Sequence, residues 1–344
     1  MRVLIDTTFA RRAPRSGTGV YIERLCTTLA AMDEVELVAA GNERRRSPAG
    51  GGWRSVRNLL ADERWMQVEL PRRAHAARAE VIHHPLPAFT HGSALPQVIT
   101  VHDLAFEVLP DRFDPTFRRF AHLAHRLAAR RARAVICVSE ATAAEVRSRW
   151  GVAPERIVVA PHGRGQDLDA GARSREGNGR YFLYVGDDEP RKNLPALLAA
   201  YRRYRECEAA PLELVLAGSA RAADPGVRVE EAPGAARLAQ LYGGAVALVH
   251  ASLYEGFGMT LVEAMAAGAP VLAAPAPAAV EVCGDAARYA DPNEAGTFAA
   301  AMAEIAADAA LRRELAERGR RRAASFSWTD SARIHLAAYS LALT

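Results

Sequence analysis

Residues 245–273 read as strand, glycine loop, helix and strand, and that order constrains the chain more than any other stretch. Ala245 to Val249 (AVALV) is a continuous aliphatic run, the pattern of a strand buried on both faces of a parallel sheet. Gly256, Phe257 and Gly258 then open a helical pattern that stops at Gly268, before Pro270 and a second short apolar run. This is one βαβ unit. A glycine loop feeding a helix amino terminus leaves backbone N–H groups free to receive an anion. Glu255 precedes those amides and Glu263 follows one to two turns into the helix. Carboxylates so close to an anion site repel it unless they are aimed elsewhere, and sugar hydroxyls suit them. The pattern therefore points to a nucleotide-sugar site. A purely structural alternative stands beside it. Thr260 and Glu263 spell a capping box that could simply close the helix start, and Gly268 could be only its carboxyl-terminal cap.

The rest of the chain supports an α/β protein built in two successive halves. A length of 344 residues suits two domains, and 50% hydrophobic with 24% charged residues describes a soluble globular protein. No apolar run is long enough to cross a membrane. The opening MRVLIDTTFA reads as a buried first strand ending at Asp6, not as a signal peptide. Cys26, Cys137, Cys207 and Cys283 are scattered, without a C-x-x-C pair, as expected of free thiols in a reducing cytoplasm. The cations are unusual in kind. Of 44 Lys plus Arg residues, Lys192 is the single lysine. An ammonium is a compact point charge that reaches a phosphate where a planar guanidinium does not fit, so Lys192 is a candidate phosphate ligand. Chance survival of one lysine is the alternative.

Strands are expected at 2–5, 35–40, 80–83, 97–101, 134–138 and 157–160, and again at 181–185 and 212–217. Ser16 to Tyr21 reads as a glycine loop opening a helix that runs to about Ala31, and Ser139 as the cap of another helix. His102 and Asp103 follow a strand, at the end where ligands bind in open α/β sheets. Residues 117–133 form a basic helix whose buried stripe is expected to be Phe117, Phe120, Ala124 and Leu127. Its arginines suit either a solvated face or contact with anionic lipid; nucleic acid is not expected, because aromatic interleaving is absent. Residues 41–52 read as a mobile loop and 163–180 as a Gly-rich charged linker, in which Asp167 and Asp169 form a coincidental D-x-D. The segment after Gly218 reads as irregular up to a helix at 235–242, and alanine-rich helices follow, the last at 329–343.

Taken in order, several segments together resemble glycosyltransferase family 4. They are Gly17-Thr18-Gly19-Val20-Tyr21, Thr100-Val101-His102-Asp103-Leu104, Val138-Ser139-Glu140, Pro161-His162-Gly163, Glu189-Pro190-Arg191-Lys192-Asn193, and Ser252 through Met265, with Glu281 to Ala287 and Phe326-Ser327-Trp328 downstream. The amino-terminal segments look most like bacterial mannosyltransferases of surface-polysaccharide synthesis. The resemblance implies a GT-B fold, two Rossmann-like domains facing a central cleft, with the C-terminal helix packing back on the N-terminal domain. It implies an acceptor domain at 1–165 plus 329–344, a linker at 166–180 and a donor domain at 181–328. It further implies a retaining hexosyltransferase, with GDP-mannose the favoured donor and a glycan, lipid-linked or small-molecule acceptor. Neither metal nor cofactor is expected, and the location would be cytoplasmic, including the inner face of the membrane.

Residue by residue, the resemblance makes Glu255 and Glu263 the E-x7-E pair, the first on the donor sugar and the second on the ribose. Backbone amides of Gly256, Phe257, Gly258, Met259, Thr260 and Leu261 would hold sugar and diphosphate, and Arg191 and Lys192 would neutralise the leaving group. Gly17, Thr18 and Gly19 would approach the donor phosphate, and His102, followed by Asp103, would lie near the reacting carbon. The chain departs from the family in three places. Only 22 residues separate Gly218 from Leu241, His162 stands where asparagine is common, and Gly186-Asp187-Asp188 lacks an arginine found in some members. Other readings are a phosphorylase or sugar-phosphate synthase of the same fold, and a non-catalytic sugar-nucleotide binder.

Overall fold

A computed structural model describes residues 1–44, 53–165 and 181–344. Most of the expected loop at 41–52, the linker at 166–180, and Asp167 and Asp169 lie outside the described residues. The chain divides into two compact units: residues 1–107, 113–163 and 328–344 form the first, and 108–112 and 164–327 the second.

The first unit holds a parallel sheet of β1 (Arg2–Asp6), β2 (Glu36–Ala40), β3 (Val81–His84), β4 (Gln97–Val101), β5 (Ala134–Cys137) and β6 (Ile157–Val159), in the order β2-β1-β3-β4-β5-β6. Alternate side chains of one strand enter opposite layers. Val3 and Ile5 pack with Tyr21, Leu25 and Tyr339, whereas Leu4 packs with Trp65, Leu70 and Ile82. Both faces are covered, which is why these strands read as continuous apolar runs. The second unit repeats the plan with β7 (Tyr181–Val185), β8 (Glu213–Gly218), β9 (Val227–Glu231), β10 (Ala247–His250), β11 (Val271–Ala273) and β12 (Ala287–Tyr289), ordered β12-β11-β10-β7-β8-β9. β9 occupies the segment expected to be irregular. It pairs in parallel with β8 although no helix joins the two.

Two other expectations need correction. Gly17, Thr18 and Gly19 do not form a loop; they are the first turn of the helix Gly17–Ala30, capped by the Ser16 hydroxyl accepting from the Gly19 amide. A Cβ at Gly19 would collide with the Ala13 carbonyl, so close backbone packing suffices to require that glycine. The basic helix, Pro115–Arg131, is turned over relative to the expected stripe. Phe117, Phe120 and Leu127 are exposed, and Ala121, Ala128 and Ala129 are buried instead. Small residues let this helix sit close to its sheet, and the large apolar ones point out.

The C-terminal helix, Trp328–Leu343, belongs to the first unit and packs beside the helix Gly17–Ala30. A buried chain of hydrogen bonds fastens it. His335 Nδ1 donates to the Ser331 carbonyl (2.7 Å), which leaves Nε2 to accept from the Tyr21 hydroxyl (2.8 Å). Tyr21 then accepts from Thr100 Oγ1 (2.8 Å), which accepts from His83 Nε2 (2.9 Å), and His83 Nδ1 accepts from Tyr339 (2.9 Å). Every member is satisfied only while both imidazoles are neutral. Burial, followed by the neighbouring His335, holds the His83 ring well below its ordinary value. Burial brings His335 to about 4, against the opposing pull of the Ser331 carbonyl.

Both rings therefore protonate more readily in the unfolded chain. Their contribution is complete above the unfolded value near 6.5 and is lost as pH falls below it, for His335 down to about 4, at about 1.4 kcal/mol per pH unit for each ring. Thermal unfolding between pH 8 and 5 should show a falling midpoint below about pH 6.5. Tyr339→Phe, which strips His83 Nδ1 of its donor, should cost about 1–3 kcal/mol at pH 7.5 by urea denaturation.

Candidate active site

In the second unit the carboxyl ends of β7 and β10 bring one carboxylate and three basic side chains together. The turn Pro190–Lys192 follows β7, and Asn193, in the left-handed region (φ +55°), passes the chain into the helix Leu194–Cys207. Lys192 Nζ lies 2.6 Å from Glu255 Oε1, and Arg191 Nη1 lies 2.7 Å from Glu255 Oε2. His250, the last residue of β10, places Nε2 3.2 Å from Oε1. The Leu253 amide donates to the Arg191 carbonyl (2.9 Å), which ties the two loops together by backbone. Lys192, Glu255 and His250 are all buried. Burial alone would raise the Glu255 carboxyl, but Lys192, Arg191 and His250 together hold it well below the usual range. His250 is itself lowered by burial, partly offset by Glu255.

The glycine loop behaves as the sequence suggests, for a geometric reason. Gly258 caps the helix Met259–Ala267 in the left-handed region (φ +93°), where a side chain is strained and a Cβ would press on Leu261 Cδ1 at 2.8 Å. Gly268 closes the other end at φ +80°. The capping-box alternative is overturned. No side chain caps the helix start, and Glu263 Oε2 instead accepts from the Tyr242 hydroxyl (2.9 Å). Thr260 Oγ1 is buried without a hydrogen-bond partner among the described residues. Phe257 turns its ring into the interior against Phe326. Met259 and Leu261 stand in the first helical turn, Leu261 fully buried.

The remaining candidates form a group of their own in the first unit. His102 Nε2 donates to the Pro85 carbonyl (2.9 Å), and its ring meets Tyr21 edge-on at 4.7 Å. Burial lowers His102 to about 4, opposed by the Pro85 carbonyl and by Asp103, so the ring is neutral near pH 7. His162 also packs on Tyr21 (4.8 Å) and stacks on Trp328 (5.6 Å). Asp103 accepts from the Ala105 amide (3.0 Å), starting the short helix Ala105–Val108. Gly17, Thr18 and Gly19 begin the helix that carries Tyr21.

His250 and Tyr242 escaped the sequence reading. His250 had a usable signal, since it ends the strand that leads into the glycine loop. Tyr242 had none, because its partner Glu263 lies on the next helix. Among the described residues, no group of three or more His, Cys, Asp or Glu side chains could hold a metal ion.

Sequence comparison agrees with this geometry. The profile of Glycosyltransferase Family 4 matches residues 15–164, and that of Glycosyl transferases group 1 matches 167–322. The chain belongs to glycosyltransferase family 4. This glycosyltransferase is 27% identical to O-antigen chain mannosyltransferase B of Escherichia coli over 71% of its own length and 70% of the relative's. It is 32% identical to the MMP alpha-(1->4)-mannosyltransferase of Mycolicibacterium hassiacum over 72% and 66%. Its fold is that of sucrose-phosphate synthase from Thermosynechococcus elongatus, with a TM-score of 0.78 at 20% identity, covering 99% of this chain and 98% of that one.

Replacing Glu255 by Gln leaves the buried Lys192 without its carboxylate, while Arg191 keeps Glu189. Removing one partner of a buried ion pair costs about 3–5 kcal/mol. The glycosyltransferase variant should therefore unfold at clearly lower urea concentration at pH 7.5, and added salt should recover little of the deficit, because buried charges are weakly screened.

Proposed function

We propose that this glycosyltransferase moves mannose from GDP-mannose to a hydroxyl of a growing surface glycan or lipid-linked saccharide, with retention at the anomeric carbon. The observation that carries the reading is the convergence of Arg191 and Lys192 on Glu255 at the amino end of the helix Met259–Ala267. Arg191 is shared between Glu255 and Glu189, and Lys192 lies on Glu255, so two cations stand near the positive end of that helix, an arrangement that suits a diphosphate. Glu255 accepts from the sugar hydroxyls, and Glu263, buried and steadied by Tyr242, takes the ribose. The mannosyl preference comes from the names of the relatives.

In the reaction the bond from the anomeric carbon to the diphosphate breaks, and the acceptor oxygen bonds to that carbon from the same face. The acceptor's proton passes to a diphosphate oxygen. Arg191 and Lys192 stabilise the charge that develops on the leaving group, so neither a metal nor a further cofactor enters this reading. The acceptor falls to the first unit. A cavity of about 210 Å³ there is lined by Asp6, Thr8, Trp65, His84 and Pro85 among others, and Pro85 is the residue that fixes His102. Four free cysteines suit action in the reducing cytoplasm.

A panel of nucleoside diphosphates tested by thermal shift decides the donor. At about 100 times its dissociation constant a ligand adds about 2.7 kcal/mol of stability, and GDP should give the largest rise. A larger rise with UDP would overturn the base assignment, and no rise with any member would favour a non-catalytic protein. Lys192→Ala should abolish mannosyl transfer with the fold intact by circular dichroism. Lys192→Arg should remain strongly impaired, since the planar group replaces a point charge.

A further inference from the structure

The helix Pro115–Arg131 is the most unusual surface of the first unit. Phe117 is 50% exposed, Phe120 70%, Leu123 68% and Leu127 45%. They recur at intervals of three and four residues, so at 3.6 residues per turn they share one arc of the helix. The helix is seated on the protein through Ala121, Ala128 and Ala129, which adjoin that arc. Beside the apolar arc stand the exposed Arg119, Arg130 and Arg131.

Charge decides what covers this face. The helix carries five arginines and neither Asp nor Glu. None of the five pairs with a carboxylate among the described residues; Arg131 instead reaches the His91 ring (2.8 Å) and lies over Phe89. Other large apolar side chains of the first unit are exposed too. His91 accepts a contact from Arg131 and donates its amide to Gln67 Oε1 (2.9 Å), beside Val68, and Leu59 and Leu60 of the helix Trp53–Arg64 are exposed as well. A row of large apolar side chains edged with unneutralised guanidinium groups fits an acidic lipid surface, where the apolar arc enters the acyl boundary and the arginines meet phosphate. No helix among the described residues is long and apolar enough to cross a membrane, so the fitting mode is lying on it.

We propose that the first unit docks on an anionic bilayer through this helix, with Phe117, Phe120, Leu123 and Leu127 inserted and Arg119, Arg130 and Arg131 on the headgroups. The test is co-sedimentation of the full chain with vesicles of phosphatidylcholine, alone or with phosphatidylglycerol. Protein should pellet with the phosphatidylglycerol vesicles, stay in solution with phosphatidylcholine alone, and be released by salt. F120S/L123S and R119Q/R130Q should each weaken binding about tenfold or more, since each removes part of a two-part attachment. Both variants should keep the thermal shift given by nucleoside diphosphate, which separates a failure here from a failure of the donor assignment. Wild-type protein that ignores phosphatidylglycerol, or variants that bind it as well as wild type, would overturn the proposal. So would a dimer that F120S/L123S converts to monomer with no vesicle binding in either form, which would assign the face to a second copy.

Discussion

The second unit is organised by the cost of burying one charge. A carboxylate removed from water at the end of a sheet is tolerable only if cations and donors reach both of its oxygens. Glu255 meets that condition through Lys192 and Arg191 from the turn after β7 and His250 from the end of β10. The condition is strict about position, because three segments must arrive at one point. It explains why the loop after β7 turns through a left-handed Asn193, and why the Leu253 amide is bonded to the Arg191 carbonyl. Arg191 is shared further with Glu189, so the cluster near the amino end of the helix Met259–Ala267 holds two cations and two carboxylates.

The first unit solves its interior differently. One buried chain of its polar groups is neutral and directional, each hydroxyl or imidazole donating to the next from Tyr339 to Ser331. The direction is set at one end by the Ser331 carbonyl, which can only accept. That forces the tautomer of His335 and through it the orientation of every later member. Tyr21 is the junction, since the rings of His102 and His162 also rest on it. A neutral His102 with Nε2 committed to Pro85 is a consequence of this packing, and it is the state in which an imidazole can meet a substrate without adding charge.

Much of this was legible in the sequence. The βαβ order of 245–273, the glycine loop that opens the helix at Gly258, the stop at Gly268 and the cap at Ser139 follow from local backbone preferences, and all are present. Lys192, singled out as a phosphate ligand because it is the only lysine, is found on Glu255, a partner that the sequence did not suggest. The failures share a cause. The apolar stripe of the basic helix was assigned inward because large apolar groups usually are buried, whereas the protein buries its alanines and exposes the phenylalanines. Thr260 and Glu263 have the spacing of a capping box, but a left-handed glycine cap and the Tyr242 hydroxyl compete successfully for that helix start and that carboxylate.

What the sequence by itself determined is therefore the local grammar: which runs become strands, where helices stop, and which ordered segments mark a family 4 glycosyltransferase. Tertiary structure alone decided the partners. Lys192 and Glu255 are 63 residues apart, His83 and Tyr339 256, and Tyr21 and His335 314. Backbone propensity acts over a few residues, so it carries no information about pairings at such separations. They are selected only when the sheets form and each buried polar group must find whatever donor or acceptor the fold has brought within reach.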